Sequence, residues 1–235
     1  MRRALIPVLF LLLCPAGPAF AVETITIPGD SMLPTLGAGD VVTAGFDGVD
    51  DDARAQDAAA AQARDPASAP KRGDILVFRT PDGSTQVDRL IGLPGDRVQM
   101  QGGIVVLNAV PLRTELVQPL AGACMLGRDC SFLRETLPGG RSYVIERTVA
   151  HAPNDETAEV TVPPGHYYVL GDNRTNALDS RFVGTTAEAG DFFPDGLVPE
   201  GAVLGHLKRI LKSPRPGETF ERLAGFPRVE PLARQ

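Results

Sequence analysis

Short apolar runs, each closed by turn-forming residues, set the frame for this chain. Arg72-Gly73-Asp74 leads into Ile75-Leu76-Val77-Phe78, an unbroken apolar run suited to a strand buried on both faces. Pro81-Asp82-Gly83-Ser84 then supplies a turn and Gln86 to Ile91 begins the next strand, so a hairpin is expected. Gly92-Leu93-Pro94-Gly95-Asp96, the run Arg97-Val98-Gln99-Met100, a turn at Gly102 and Gly103, and Ile104 to Asn108 extend it as a meander. With 25 Gly and 21 Pro supplying turns between such runs, the fold class expected is all-β with little helix.

The 235 residues can bury one substantial core, with room for a subdomain but hardly for a second full domain. Thr24 to Ile27 and Val41 to Thr43 add short strands, and His166 to Leu170 and Val203 to Leu211 add two more. Residues 49–70 turn to Asp, Ala, Arg, Gln and Pro without a β pattern, as expected of a loop insert with a solvated surface. About residues 111–162, an inserted β subdomain is expected, and a Pro- and Arg-containing tail follows from Ser213. A formal charge of -6 leaves no basic footprint for a nucleic-acid partner.

Arg2 and Arg3, an apolar run from Ala4 to Leu13, the breakers Pro15, Gly17 and Pro18, and Ala19-Phe20-Ala21 form a signal-peptide pattern with cleavage after Ala21. The alternative is an uncleaved anchor from Ala4 to Val22, interrupted near its end by those breakers. Either places the body, from residue 22 to 235, outside the cytoplasm. In an exported protein, Cys124 and Cys130 read as a small disulfide loop, with two free thiols as the alternative. Two sulfurs without a nearby His make a poor zinc site, and no cofactor is called for.

Between the first two strands lies Gly29-Asp30-Ser31-Met32-Leu33-Pro34-Thr35-Leu36. A serine in such a turn can be held exposed on a fixed backbone, with neighbouring amides free to face a developing oxyanion; the plain alternative is an ordinary turn. A second polar concentration, Gly171-Asp172-Asn173-Arg174 through Asp179-Ser180-Arg181, directly follows the His166–Leu170 strand and suggests a hydrogen-bonded network.

Three segments agree with one family. Ser31-Met32-Leu33-Pro34-Thr35-Leu36, the pair Arg72 to Phe78 and Arg89 to Asp96, and Gly171 to Arg174 with Asp179-Ser180-Arg181 resemble type I bacterial signal peptidases in order and approximate spacing. Cys124, Cys130 and Arg134-Glu135-Thr136-Leu137-Pro138 are similar to features of the Gram-negative members. The resemblance implies a β-rich fold and a serine endopeptidase that removes signal peptides of exported proteins after small residues, A-x-A, at the periplasmic face of the inner membrane. If the N-terminus is cleaved, the protein would be soluble in the periplasm. Ser31 matches the nucleophile, with its own amide in the oxyanion hole. Gly29 stands where some members supply a side-chain hydroxyl and others a glycine. Arg89, Asp172, Arg174, Asp179 and Arg181 match positions whose charges brace the site.

Two departures concern the base. The family lysine immediately precedes the arginine of the R-x-I-G-L-P-G-D segment, and that position here is Asp88. The family serine that helps orient the lysine is Ala177, and Thr175 stands where an aspartate is usual. Lys71, Lys208 and Lys212 are the chain's only lysines and none lies near that position in sequence. An aspartate stops about 2.5 Å short of a lysine nitrogen, and one near its reference pKa of about 3.9 is a feeble base. Arg89 or Arg174 nearby would weaken it further, while desolvation would act the other way. His151, His166 and His206 are alternative bases, although none occupies the lysine position. Two functions follow: a signal peptidase with an unusual base, or a non-catalytic periplasmic protein that binds signal peptides, another peptidase or a secretion component. A third is processing of one dedicated secreted substrate.

Overall fold

The computed structural model describes residues 23–46, 69–117, 130–148, 152, 154–183 and 192–214. The N-terminal segment 1–21, most of the 49–70 insert, Cys124 and His151 lie outside them. Among the described residues the only helical element is a 3-10 turn, Glu200–Ala202, and no helix is long and apolar enough to cross a membrane.

The main sheet has seven strands. From one edge to the other they are β1 (Glu23–Thr26), β2 (Val41–Gly45), β14 (Val203–Lys212), β3 (Ile75–Arg79), β4 (Thr85–Gly92), β12 (His166–Leu170) and β13 (Val198–Pro199), and every neighbouring pair is antiparallel. β3 is the middle strand of the seven, and its residues Ile75 to Phe78 are apolar and buried on both faces. Ile75 and Val77 pack with Met32, Leu36, Val42 and Val87 on one side, and Leu76 and Phe78 pack with Leu90, Val169 and Val203 on the other. Alternation along a strand therefore sends Arg89 to the first side, level with Ile75, and Asp88 to the second, level with Leu76.

Beyond β4 the chain leaves this sheet. A four-stranded sheet contains β5 (Arg97–Gln101), β6 (Ile104–Leu107), β7 (Val110–Pro111) and β11 (Val160–Thr161) in the order β11-β5-β6-β7. A three-stranded sheet contains β8 (Arg113–Val117), β9 (Cys130–Thr136) and β10 (Ser142–Thr148) in the order β10-β9-β8. Ile91, Val98, Met100, Val105, Tyr143, Ile145, Tyr168 and Leu170 share one apolar cluster that joins all three sheets. The stretch Arg134 to Arg147, polar by composition, forms most of a tight β9–β10 hairpin turned at Gly139 and Gly140.

Gly92, the last residue of β4, sits where the sheets meet. A Cβ there would lie 2.8 Å from Tyr168 Cβ, 2.8 Å from Val98 Cγ2 and 3.0 Å from Val162 Cγ2, so a side chain would force the strands apart. Gly92→Ala is expected to cost about 1–3 kcal/mol of stability, read as a lower midpoint in urea unfolding at an unchanged slope. A midpoint equal to that of the wild type would contradict the close packing.

Candidate active site

Ser31 lies in the turn between β1 and β2, and apolar anchors hold that turn in place. Met32 and Leu36 are fully buried, and the Leu36 amide donates to the Met32 carbonyl at 2.8 Å. The Ser31 carbonyl accepts the Asn173 amide at 2.9 Å, and the Asp30 carbonyl accepts Asn173 Nδ2 at 3.2 Å. Thr35, on the same turn, donates its hydroxyl to Asp172. The serine turn is thus tied to the polar run after β12 by both backbone and side chains. Ser31 itself is half-buried, and a Cβ added to Gly29 would meet no atom within 4 Å, leaving open space beside the serine.

Asp172 is held in turn by Arg89, whose Nε and Nη2 donate to its two oxygens at 2.7 and 2.6 Å. Arg89 Nη1 donates to the Gly73 carbonyl at 2.8 Å, and its guanidinium lies 4.1 Å over the Tyr143 ring. Burial opposes the Arg89 charge, and Asp172 more than restores it. Arg174 makes a second fork with Glu135, at 2.8 and 2.6 Å, and the Tyr143 hydroxyl donates to Glu135 at 2.8 Å. Arg181 makes a third with Asp179, at 2.8 Å for both bonds, and donates to the Arg174 carbonyl at 2.7 Å. Asp179 also accepts the Gly171 amide at 3.0 Å. Bidentate pairs of this kind fix orientation as well as charge.

Asp88 stands apart from these pairs. It is fully buried, at 0% exposure, and its Oδ2 accepts one bond from Gln86 Nε2 at 3.1 Å while Oδ1 has no partner. Burial pushes its carboxyl well above the usual carboxylate range, the negative charge of Asp179 adds to that, and Arg181 opposes it. The arginine facing Asp88 is therefore Arg181, whereas the sequence pointed to Arg89 or Arg174. Arg89 leaves the opposite face of β4, and Arg174 is taken up by Glu135.

Gly171 brings the altered positions together. A Cβ at Gly171 would overlap that of Ala177, lie 2.7 Å from the Ser31 carbonyl oxygen and lie 3.5 Å from Asp88 Oδ1. Ser31, Asp88 and Ala177, distant in sequence, thus surround one glycine. The other bases are placed elsewhere: Lys71 is exposed in the turn before β3, His166 begins β12 at the end away from Gly171, and Lys212 ends β14. Lys208 Nζ lies 2.7 Å from His206 Nε2, both on β14, a strand separated from β4 by β3. Gln86 and Tyr143 are site residues to which sequence reading gave no role, and Glu135 and Asn173 stood out only as members of longer segments. Only the uneven charge count among Arg89, Arg174, Arg181, Asp172 and Asp179 hints that a further buried anion is needed.

A family model described as signal peptidase, peptidase S26, matches residues 2–211. The chain belongs to this family. Signal peptidase I of Pseudomonas aeruginosa is 30% identical over 230 residues, which cover 97% of this chain and 76% of that protein. Signal peptidase I of Rickettsia canadensis is 38% identical over 121 residues, covering 48% of this chain and only 44% of that relative. A crystal structure of a signal peptidase I from Enterococcus faecalis V583 aligns over 59% of this chain with 29% identity and a TM-score of 0.34. The family assignment agrees with the resemblance carried by the serine turn, the β3–β4 segments and the run after β12.

The raised carboxyl of Asp88 has a thermodynamic consequence. Below the unfolded-state value of 3.8, the folded and unfolded chains both carry the proton. As pH rises above that, the unfolded chain releases it and the folded chain retains it, so Asp88 reduces stability progressively up to its folded value. Asp88→Asn removes this effect while keeping the Gln86 contact. We expect a melting midpoint raised by about 3 °C or more near pH 7.5, and a gain that vanishes near pH 3.5. An equal effect at both pH values would show that Asp88 is not held protonated.

Proposed function

We propose that this signal peptidase family member removes signal peptides from exported proteins after small residues, with Ser31 as nucleophile. The observation that carries this is the fastening of the Ser31 turn to Asn173 and, through Thr35, to the Asp172–Arg89 pair. A nucleophile needs such a fixed main chain so that its amide can face the oxyanion, and the open Gly29 position leaves room beside it. Arg89, Asp172, Arg174, Asp179 and Arg181 then serve as bracing rather than reacting groups. Residues 22–235 form the working domain, with 111–162 as an inserted subdomain, Cys124 and Cys130 as a disulfide, and 1–21 as a signal peptide or anchor at the periplasmic face of the inner membrane.

In this reading Asp88, neither of whose oxygens bonds Ser31 directly, takes the proton of the Ser31 hydroxyl through one bridging water as the oxygen attacks the scissile carbonyl. It returns the proton to the amine that leaves. A carboxyl held well above its usual range is a stronger base once ionised, and at a given pH it keeps its proton more often than an ordinary aspartate does. Turnover therefore rises with pH through the Asp88 transition.

A second reading is favoured by the raised Asp88 carboxyl together with Ala177: a protein that binds signal peptides, or another component of secretion, without hydrolysing them. The two separate in one experiment with an A-x-A peptide substrate across pH 6 to 10. For the enzyme we expect Ser31-dependent release of product that climbs with pH and falls to background in Ser31→Ala. Equal background release by both proteins at every pH would remove the enzymatic reading. The binding reading predicts peptide affinity without cleavage, and gain of cleavage in the double variant Asp88→Lys with Ala177→Ser. Calorimetry that detects no peptide affinity would remove it.

A further inference from the structure

Glu146 is a buried carboxyl that neither the bracing network nor the proton transfer uses. It lies on β10, which its main chain joins directly to the run after β12. The Glu146 amide donates to the Asp172 carbonyl at 2.9 Å, the Arg174 amide donates to the Glu146 carbonyl at 2.9 Å, and Glu146 bridges to Asn173 in parallel register. Asn173 is the residue whose amide and side chain hold the Ser31 and Asp30 carbonyls. Glu146 is therefore one residue's breadth from the nucleophile turn, on the strand that borders it.

Its carboxyl is set apart from the forked ones. Glu146 is 5% exposed, its Oε2 has no hydrogen-bond partner, and Phe132 lies opposite it across β9. Of the other buried carboxylates around the site, Glu135, Asp172 and Asp179 each have an arginine fork, and only Asp88 shares with Glu146 an oxygen that has no partner. Burial raises the Glu146 carboxyl, and the charge of Asp30, the residue preceding Ser31, raises it further. An apolar wall, a carboxyl oxygen without a donor and a second carboxylate at the nucleophile's side form the complement of a long basic side chain. Its methylenes would lie along the apolar surface, with its head between the acids.

We propose that Glu146, flanked by Asp30, is a specificity residue that takes a lysine or arginine side chain of the peptide bound at Ser31. This rests on the reading of the site as a signal-peptide site and narrows it. The preferred segment carries a basic residue within a few positions of its small-residue motif, in addition to any basic residues at its far N-terminus. The bound ammonium or guanidinium supplies the donors that Oε2 lacks and offsets the repulsion between the two carboxylates.

The test is a scan of A-x-A decapeptides in which one position at a time is lysine or its uncharged isostere norleucine. Affinity is measured by fluorescence anisotropy on the full chain carrying Ser31→Ala, which cannot cleave. At one position lysine should bind about tenfold or more tightly than norleucine, a preference of about 1.4 kcal/mol. That ratio should fall to about one in Glu146→Gln and persist in Glu115→Gln, an exposed carboxylate of β8. A scan flat at every position, with the peptides still bound, overturns the basic subsite and leaves the signal-peptide reading standing. If no peptide binds, the signal-peptide reading has failed, and the subsite is judged by titrating n-butylammonium against 13C-glutamate NMR. A saturable shift of the Glu146 carboxyl resonance, absent in Glu146→Gln, supports it, and its absence overturns it.

Discussion

The buried pair of Arg89 and Asp172 is the interaction on which the rest of this site depends. Taking two opposite charges out of water costs several kcal/mol each, which is offset only when geometry and remaining hydrogen bonds are good. Here both conditions are met: two parallel bonds join guanidinium and carboxylate, a third reaches the Gly73 carbonyl, and the Thr35 hydroxyl supplies the carboxylate with another donor. One pair thereby holds four pieces of chain in register: the serine turn, the entry to β3, strand β4 and the run after β12. The Tyr143 ring under the guanidinium adds the three-stranded sheet to them.

Charge is distributed around this pair by rule. Arg174 with Glu135 and Arg181 with Asp179 repeat the same fork, and each arginine also donates to a main-chain carbonyl, of Gly171 and Arg174 respectively. With three arginines matched to three carboxylates, two further buried carboxylates at the site, Asp88 and Glu146, have no arginine fork. Burial, with the negative charges of Asp179 and Asp172, makes Asp88 hold its proton more tightly than an ordinary aspartate. A lysine at position 88 would instead enter a region bordered by Asp179 and Asp172, whose negative charges act on Asp88. Those two carboxylates disfavour an ionised Asp88 and would favour a restored lysine, against the opposing charge of Arg181 and the burial of the position.

Much of the scaffold was legible from the sequence because it is written in local patterns. The run Ile75 to Phe78 gave a strand covered on both faces, and the turns at Asp82-Gly83 and Gly102-Gly103 gave hairpins where they occur. The serine turn, too, was visible from its own residues. What escaped was long-range. Glu135 and Arg174 are 39 positions apart, and nothing in the stretch Arg134 to Arg147 says which of its polar groups is buried. Alternation alone also left open which arginine would face Asp88, since that depends on how the run after β12 folds back over β4. The special status of Gly171, against Ser31, Asp88 and Ala177 at once, is likewise a property of the assembled fold.

Adjacent residues of β4 project to opposite sides of the sheet, and this separates the frame from the chemistry. Arg89 joins the Asp172 fork on one side, while Asp88 lies fully buried on the other, near the Arg181–Asp179 fork but hydrogen-bonded to Gln86 alone. Residue 88 can accordingly change sign, size or protonation without breaking any hydrogen bond of the forks. The strand acts as a partition wall, so that loss or gain of a reactive group here is a local renovation. A chain with this arrangement can pass between hydrolysis and mere recognition while its outline stays the same.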